Sequence, residues 1–517
     1  MNQPFPGSAE FFAARQPDAI AFFEGDEQIT WQQWNTRADR LAAAFIALGI
    51  GAGDRIATRL GTRHEWFIVQ LAASKIGAAL VGVNNRATVQ EADYLLEDCG
   101  AKALVIDDSD PEPIVTVARS KGIDIVVSFA RMAGAAHFAA LIADDLPAKP
   151  FISRMPAPLI LYTSGTTGRP KGVALDPALL ARRENVQAYR EFMANVAPLR
   201  PDSRFLLSLP MHHAAGPNSS LFCLRAGGSV VVQNKFDAEG LLDLVARFRI
   251  TNWTAVPTMI HRLAALPHTV ANRFDRTSLR AINIGAAAVP LQLKLWSKEF
   301  FGPQCSIIEG YGMSETQMIS YLLPDDWAIA PNSSGKPIPY VEVKIVGPEG
   351  NALGPNEPGE ICVRTPLTIE RYLNRQPFGP DELTPDGLFR TGDVGYLDEN
   401  GYLYVTDRLK DMFIVGGTNV YPAEIEAVLN THPDIIEAAV IGIPHPELGE
   451  QGLALCEMKP GAARDAQAII DHCRKSLASY KVPKLVEFVD ELPRNPTGKV
   501  MKTVLREPYW AGRERKV

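Results

Sequence analysis

The chain has 517 residues, 46% of them hydrophobic and 21% charged, with a formal net charge of −7. Such a length predicts about two to four domains, and the acidic balance argues against general nucleic-acid binding, which needs a basic face. Six cysteines are scattered without CxxC spacing and are expected as reduced, mostly buried thiols.

The opening stretch "MNQPFPGSAEFFAARQPDA" carries acids and prolines and no apolar leader core. No run approaches the roughly 18 apolar residues of a membrane span. The expectation is therefore no signal peptide, no transmembrane span and a cytoplasmic protein. From about residue 101 to 309, short apolar runs alternate with amphipathic ones. "ALVIDD", "IDIVVSF", "PLILYT", "RFLLSLP", "SVVVQ", "NWTAVP", "LRAINIG" and "CSIIEG" read as strands, "LLDLVARFRI" and "PLQLKLWSKEF" as helices. That alternation implies βαβ units around buried parallel sheet.

After about residue 331 the texture changes to strands broken by Gly, Asn and Asp, with "DENG" as a hairpin connection. A small antiparallel or barrel-like subdomain is predicted there. From "DRLKD" onward a shorter unit follows. Helices are expected near "AEIEAVLN", "ARDAQAIIDHCRKSLASY" and the tail, and strands near "IIEAAVIGI", "GLALCEM" and "KLVEFVD". The fold class is α/β. A large N-terminal domain (1–409) of parallel βαβ sheets carries the subdomain (about 331–409), and a smaller α+β C-terminal domain (410–517) follows.

The stretch "TSGTTGRPKG", residues 163–172, follows an apolar strand pattern. Its glycines let backbone N–H groups approach an anion, its hydroxyls add donors, and Lys171 adds a mobile positive charge. It is not a Walker A loop, which needs four residues between the glycines and a Ser/Thr after the lysine. Taken alone, it reads either as a phosphate cradle or as a flexible surface loop.

"TSGTTGRPKG", "GYGMSET" (310–316), "RTGDVGYLDENGYLYVTDRLKD" (390–411), "GGTNVYPAEIE" (416–426) and "PRNPTGKV" (493–500) occur in this order. Together, over roughly residues 10–505, they resemble the adenylate-forming superfamily of acyl-CoA synthetases. The resemblance implies roles for matching positions. Thr163, Ser164, Gly165, Thr166, Thr167, Gly168 and Lys171 would embrace the β- and γ-phosphates of ATP. Thr316 would contact the α-phosphate. Glu315 would bind Mg²⁺, a hard ion that suits a carboxylate. In "NIGAAAVP" (283–290), Gly285, Ala286 and Ala287 would let adenine pack on backbone, with Tyr311 on its other face and Gly312 beside it. Asp393 and Arg408 match ribose ligands, or they form a mutual salt bridge.

Lys499 would stabilise the charge that builds as a carboxylate attacks the α-phosphate. The C-terminal domain would be mobile, turning about a hinge at Lys410 so that CoA can enter. Gly416 and Gly417 would line the pantetheine channel, and Thr418 stands where relatives often carry an acid or a larger residue. Tyr480, Lys481 and Lys484 could lie near the CoA nucleotide. "SLPMHHAAGPNSS" (208–220) matches the segment that opens the acyl site. His213 rather than His212 would gate it, unless it is simply a satisfied buried histidine. Ala215, Ser219, Gly310, Met318 and Ile319 are the other wall candidates.

Amino-acid-activating relatives carry an aspartate in that segment, and none is present here. A buried ammonium without a partner would be costly. The implied substrate is a small-molecule carboxylic acid with an apolar tail, medium-chain, branched or aryl-alkanoic, activated with ATP and Mg²⁺ and passed to CoA. An acyl-AMP ligase that loads a carrier protein, and a non-catalytic nucleotide-binding protein, are the rival readings. The oligomeric state stays open, a homodimer included.

Overall fold

The computed structural model describes residues 4–151, 158–163, 170–175, 177–286, 289–416, 418–494 and 500–511. Ser164, Gly165, Thr166, Thr167, Gly168, Ala287, Gly417 and Lys499 lie outside the described residues.

Two large sheets dominate the first 340 or so positions. One has seven strands, six of them parallel, in the spatial order Ala136–His137, Ile125–Ser128, Ala103–Ile106, Arg55–Arg59, Ala79–Gly82 and Leu159–Thr163, closed by antiparallel Lys171–Ala174. The other has nine strands. Its parallel centre runs Ser306–Met313, Ala281–Gly285, Asn252–Ala255, Arg204–Leu207, Ser229–Val232, Ile20–Glu24, and antiparallel strands flank it at both ends. Every expected strand and helix of this region is present. The parallel layout starts earlier than residue 101, because Arg55–Arg59 and Ala79–Gly82 sit inside the first sheet and Ile20–Glu24 pairs with Ser229–Val232 of the second.

Helix Glu65–Ile76 shows why these sheets form one body. From Trp66 to Ile76 each of its residues is buried, the state of a helix that is apolar on all sides. It packs in the core that includes Phe22, Leu80, Val105, Phe205 and Val230, which come from both sheets. Its one buried charge, Lys75, is answered inside that core by Asp39 at 2.8 Å and Glu10 at 3.3 Å.

The expected subdomain is a four-stranded antiparallel sheet, Glu342–Val346, Gly359–Arg364, Phe389–Leu397 and Leu403–Arg408, with the "DENG" segment as the last hairpin. Its edge strands do not pair with each other, so the sheet is open rather than a closed barrel. The C-terminal unit is α+β. Its strands Thr418–Val420, Phe413–Val415, Gly449–Met458 and Ile435–His445 are antiparallel, and Leu485–Val489 joins parallel to Gly449–Met458. Helices Pro422–Leu429, Ala466–Arg474 and Lys502–Trp510 complete it. All six cysteines are buried and free. Among the described residues no helix is long and apolar enough to cross a membrane.

One buried ion pair braces the strand that carries "GYGMSET". Lys294, on helix Leu291–Phe301, is 2% exposed and meets Glu309 on strand Ser306–Met313. Its ammonium also donates to the carbonyls of Pro331 at 3.1 Å and Ser333 at 3.3 Å. Burial pushes the Glu309 carboxyl up to about 7 against the pull of Lys294. Removing one partner strands a buried charge, whereas replacing both with apolar groups does not. Lys294→Ala is therefore expected to lower stability by about 3–5 kcal/mol in urea unfolding. The double variant Lys294→Met with Glu309→Leu is expected to lose clearly less.

Candidate active site

The candidate groups gather at the carboxyl ends of the parallel strands, where open α/β sheets place ligands. Strand Leu159–Thr163 delivers Thr163, and its antiparallel neighbour Lys171–Ala174 begins with Lys171. The turn between strands Ser306–Met313 and Gln317–Leu322 delivers Glu315 and Thr316. Glu315 is only 6% exposed. Tyr372 donates its hydroxyl to Glu315 Oε1 at 3.1 Å, and the Thr163 hydroxyl lies 3.4 Å from the same oxygen. Lys171 Nζ stands 4.7 Å over the Tyr372 ring, a cation–π geometry. Burial raises the Glu315 carboxyl pKa, and the hydroxyl bonds from Tyr372 and Thr163 oppose that rise.

Tyr372 was not legible in the sequence. It sits in "RYLNRQ" without a pattern of its own. It is brought in because Leu373 N–H donates to the Gly172 carbonyl at 2.7 Å, and Asn374 and Arg375 bind Asp98. The donor set fits a divalent cation. Among the described residues no lysine or arginine forms an ion pair with Glu315. A buried carboxylate held by two hydroxyls, with its pKa raised by burial, is a suitable ligand for Mg²⁺ beside phosphates.

Thr316 is fully buried, and its hydroxyl donates to the Gln317 carbonyl at 3.2 Å. Gln317 itself is left-handed, with φ 61°. Gly312 lies so close to the returning strand that an added Cβ would sit 2.5 Å from the Gln317 carbonyl oxygen. Gly285 pairs with Gly310 across parallel strands, and a Cβ on Gly285 would lie 2.8 Å from the Gly310 carbonyl oxygen. Ala286 follows with φ 67°, a strained conformation for a residue with a Cβ. This bare backbone shelf is the expected adenine side.

Tyr311, Asp393 and Arg408 meet. Asp393 and Arg408 are cross-strand partners, with Arg408 Nε 3.2 Å from Asp393 Oδ1. The Tyr311 hydroxyl donates to Asp393 Oδ2 at 2.8 Å. Both alternatives drawn for Asp393 and Arg408 remain compatible with this, since carboxylate oxygens accept more than one hydrogen bond.

The acyl segment is different in character. His212 and His213 pack together, ring centroids 4.4 Å apart. Both ring nitrogens of His212 and Nε2 of His213 are buried without a hydrogen-bond partner among the described residues. Burial lowers His212 to about 3 and His213 to about 4, so both imidazoles are neutral. Ser219 accepts a hydrogen bond from Thr254 at 3.2 Å, and Ala215 packs on the core of the nine-stranded sheet. Met318 lies over Gly310, where a Cβ would come 2.5 Å from the Met318 methyl.

Ile319 requires a correction. It is fully buried among Ile345, Ile361, Val363 and Leu403, facing the four-stranded sheet and away from Met318. Successive strand residues point to opposite faces, so these two neighbours cannot line one pocket. Lys410 is half-buried between strands Leu403–Arg408 and Phe413–Val415, and Gly416 is left-handed with φ 56°, its N–H donating to the Leu448 carbonyl at 2.9 Å. Of the three residues expected near the CoA nucleotide, Lys481 pairs with Glu424 at 2.6 Å, Lys484 donates to the Ser479 carbonyl at 3.3 Å, and Tyr480 is exposed.

Depressed histidine pKa values carry a sign. Each unfolded imidazole takes up a proton near 6.5, while the folded one resists it until about 3 or 4. The unfolded state then binds more protons in that window, and stability falls as pH falls from about 6.5. Each group contributes a slope of up to about 1.4 kcal/mol per pH unit. Unfolding free energies measured from pH 7 to 4.5 are expected to fall less steeply for His212→Asn with His213→Asn than for the parent.

Known proteins bear directly on this arrangement. The family described as "AMP-binding enzyme" matches residues 9–373, and "AMP-binding enzyme C-terminal domain" matches residues 424–499. The long-chain-fatty-acid–CoA ligase FadD13 of Mycobacterium tuberculosis is 33% identical over 94% of this chain and 94% of its own. The feruloyl-CoA synthase of an Amycolatopsis species is 35% identical over 96% of this chain and 97% of its own. ATP-bound MatB from Rhodopseudomonas palustris, 32% identical, superposes with a TM-score of 0.83 over 97% of this chain and 99% of that one. Apo MatB, at the same 32% identity, covers 95% and 96% and reaches 0.72. The chain belongs to the AMP-binding enzymes, the adenylate-forming superfamily of ATP-, Mg²⁺- and CoA-dependent acid–thiol ligases.

Proposed function

We propose that this chain joins an apolar carboxylic acid, medium-chain, branched or aryl-alkanoic, to CoA through an acyl-adenylate. The observation that carries the substrate class is the uncharged acyl segment. Two buried neutral imidazoles stand there in one segment with Ala215 and Ser219, and Gly310 and Met318 are the further wall candidates. None of these offers an ion to a charged tail. Met318 has an unbranched, adaptable side chain, so the depth over Gly310 can adjust to the acid. FadD13 and the feruloyl-CoA synthase, whose names give a fatty acid and an aryl acid, support the same range.

In the first step a carboxylate oxygen attacks the α-phosphorus and the bond to pyrophosphate breaks. In the second the CoA sulfur attacks the acyl carbonyl, AMP leaves and the thiol proton is lost. Thr163, Lys171 and the loop 164–168 would hold the β- and γ-phosphates, and Thr316 would turn its hydroxyl from the Gln317 carbonyl toward the α-phosphate. Glu315, aimed by Tyr372 and Thr163, would hold Mg²⁺, which neutralises phosphate charge when bound. The shelf at Gly285, Ala286 and Ala287, with Tyr311 and Gly312, would take adenine. Asp393 and Arg408 would take the ribose hydroxyls. His213 stays uncharged beside the acid, which leaves the substrate carboxylate its nucleophilic lone pairs. Lys499 would stabilise the developing phosphate charge.

The second step would follow a turn of the C-terminal domain about Lys410, with Gly416 and Gly417 along the thiol path. The two TM-scores for MatB support a family member that takes more than one overall arrangement. A cytoplasmic site of action, no role for nucleic acid, and a homodimer as the assembly to look for by light scattering complete the proposal.

A carboxylic-acid panel, read by pyrophosphate release with and without CoA, tests this reading. Apolar acids are expected to turn over, with acyl-CoA formed only when CoA is present. Pyrophosphate release that never leads to acyl-CoA would favour the carrier-protein ligase instead. Lys499→Ala is expected to slow adenylation about 10²–10³-fold, by analogy with one lost electrostatic donor. Tyr372→Phe frees Glu315 from one of its two hydroxyl supports. The Mg²⁺ concentration for half-maximal adenylation is then expected to rise about tenfold, with kcat at saturating Mg²⁺ much less affected.

A further inference from the structure

The junction between the two domains holds a buried charge network that the reaction as described does not use. Asp407 ends on strand Leu403–Arg408 of the large domain, just before the proposed hinge at Lys410, and is 8% exposed. Helix Pro422–Leu429 lies beyond the hinge. Its own N-cap residue, Tyr421, supplies no side-chain hydrogen bond to the first turn. Asp407 supplies it instead: Oδ2 accepts from Ala423 N–H at 2.8 Å, while Oδ1 accepts from Arg408 N–H at 2.7 Å. A carboxylate at a helix N-terminus satisfies an orphan donor and opposes the positive end of the dipole.

The neighbouring ion pairs behave differently. Lys502 Nζ meets Glu426 Oε1 at 2.7 Å, and Arg506 Nη2 meets Asp411 Oδ1 at 3.0 Å. All four of those residues follow Lys410, so their pairs travel with the C-terminal domain. The bond from Asp407 to Ala423 crosses the hinge. A second crossing contact, Arg494 Nη1 to Thr258 Oγ1 at 3.4 Å, lies at another point of the same domain boundary. The whole arrangement superposes better on ATP-bound MatB than on apo MatB.

We propose that Asp407 is a positioning residue, a cap reaching across the hinge that holds the C-terminal domain in the arrangement used with ATP and lets go when that domain turns toward CoA. This rests on the domain alternation proposed above. The bond is worth about as much as any helix cap, so it biases the two arrangements without locking either. Its loss leaves both groups free to meet water, and the ion pairs inside the C-terminal domain stay intact through the turn.

The test separates the half-reactions in the full-length chain. Pyrophosphate release without CoA reads adenylation; mixing a synthetic acyl-adenylate with CoA reads thioester formation. Asp407→Ala is expected to slow adenylation about five- to tenfold, the factor that one helix cap represents, and to leave thioester formation unchanged or faster. Asp407→Asn, whose amide oxygen can accept the same bond, is expected to stay within about twofold of the parent. Equal slowing of both steps by Asp407→Ala, an unchanged ratio, or an Asn variant as impaired as the Ala variant would overturn the proposal.

Should Asp407→Ala not fold, amide exchange in the parent decides. The Ala423 N–H is expected to be protected with ATP and to exchange at least about tenfold faster with AMP and CoA. Identical protection in both states would sink the cap across the hinge. A parent chain that makes acyl-adenylate from no acid would sink the functional reading instead, and the exchange experiment would still report on Asp407.

Discussion

A buried carboxylate that forms no ion pair among the described residues is the constraint around which this molecule is arranged. Glu315 lies at the tip of a tight turn, almost out of reach of solvent. A charge in that position is expensive unless other groups answer it. The answer comes from segments distant in the chain: Thr163 from the strand next to the edge of the seven-stranded sheet and Tyr372 from the connection between the second and third strands of the four-stranded sheet. Lys171, resting on the Tyr372 ring, adds positive charge nearby without pairing to the acid. Holding one carboxyl group thereby fixes the relative position of two sheets and a connecting segment. The same incompletely satisfied charge is what makes the place suitable for a metal-bound nucleotide.

Around that centre the fold distributes polarity unevenly. The proposed nucleotide side is rich in hydrogen-bonding groups, with Tyr311, Asp393 and Arg408 linked to one another and a bare backbone shelf at Gly285 and Ala286. The proposed acyl side is poor in them. Two imidazoles are held neutral by burial, and their neighbours are small or apolar. A reaction between an anionic nucleotide and the carboxylate of an apolar acid needs this contrast. One end must hold charge and the other must avoid it, or the acid would be bound by its tail chemistry rather than by its carboxylate.

The junction between the domains repeats the theme with opposite emphasis. Its charges are mostly paired within the C-terminal unit, at Lys502 with Glu426 and Arg506 with Asp411. A unit that carries its own counter-ions can change position without exposing unpaired charge. Polar contacts that cross the boundary include the hydrogen bonds at Asp407 and Arg494, each of modest strength, and the exposed ion pair Arg262–Glu491 at 3.9 Å.

Much of this was readable in advance. The buried parallel strands announced themselves as short β-branched and aliphatic runs, because strands covered on both faces have no polar alternation to disguise them. The order of the glycine-rich and acidic motifs carried the family resemblance, and through it the expectation that Glu315, Thr316, Asp393 and Arg408 serve one nucleotide. Other features depended on packing. The first hundred residues supply strands to both sheets, and local pattern does not reveal partners two hundred positions away, as with Ile20–Glu24 beside Ser229–Val232. Met318 and Ile319 looked alike in the sequence, and only strand alternation between two layers sent them to opposite faces.

Tyr372 carried no signal, and Asp407, though it stands in the "DRLKD" segment, carried none of its capping contact, since each acts on a group that only folding brings near. Linear sequence determined which chemical groups this protein possesses and in what local conformations they are comfortable. Tertiary structure decided which of them share a buried space, and burial is what turns a tyrosine into a carboxylate's support and an aspartate into a cap for another domain's helix.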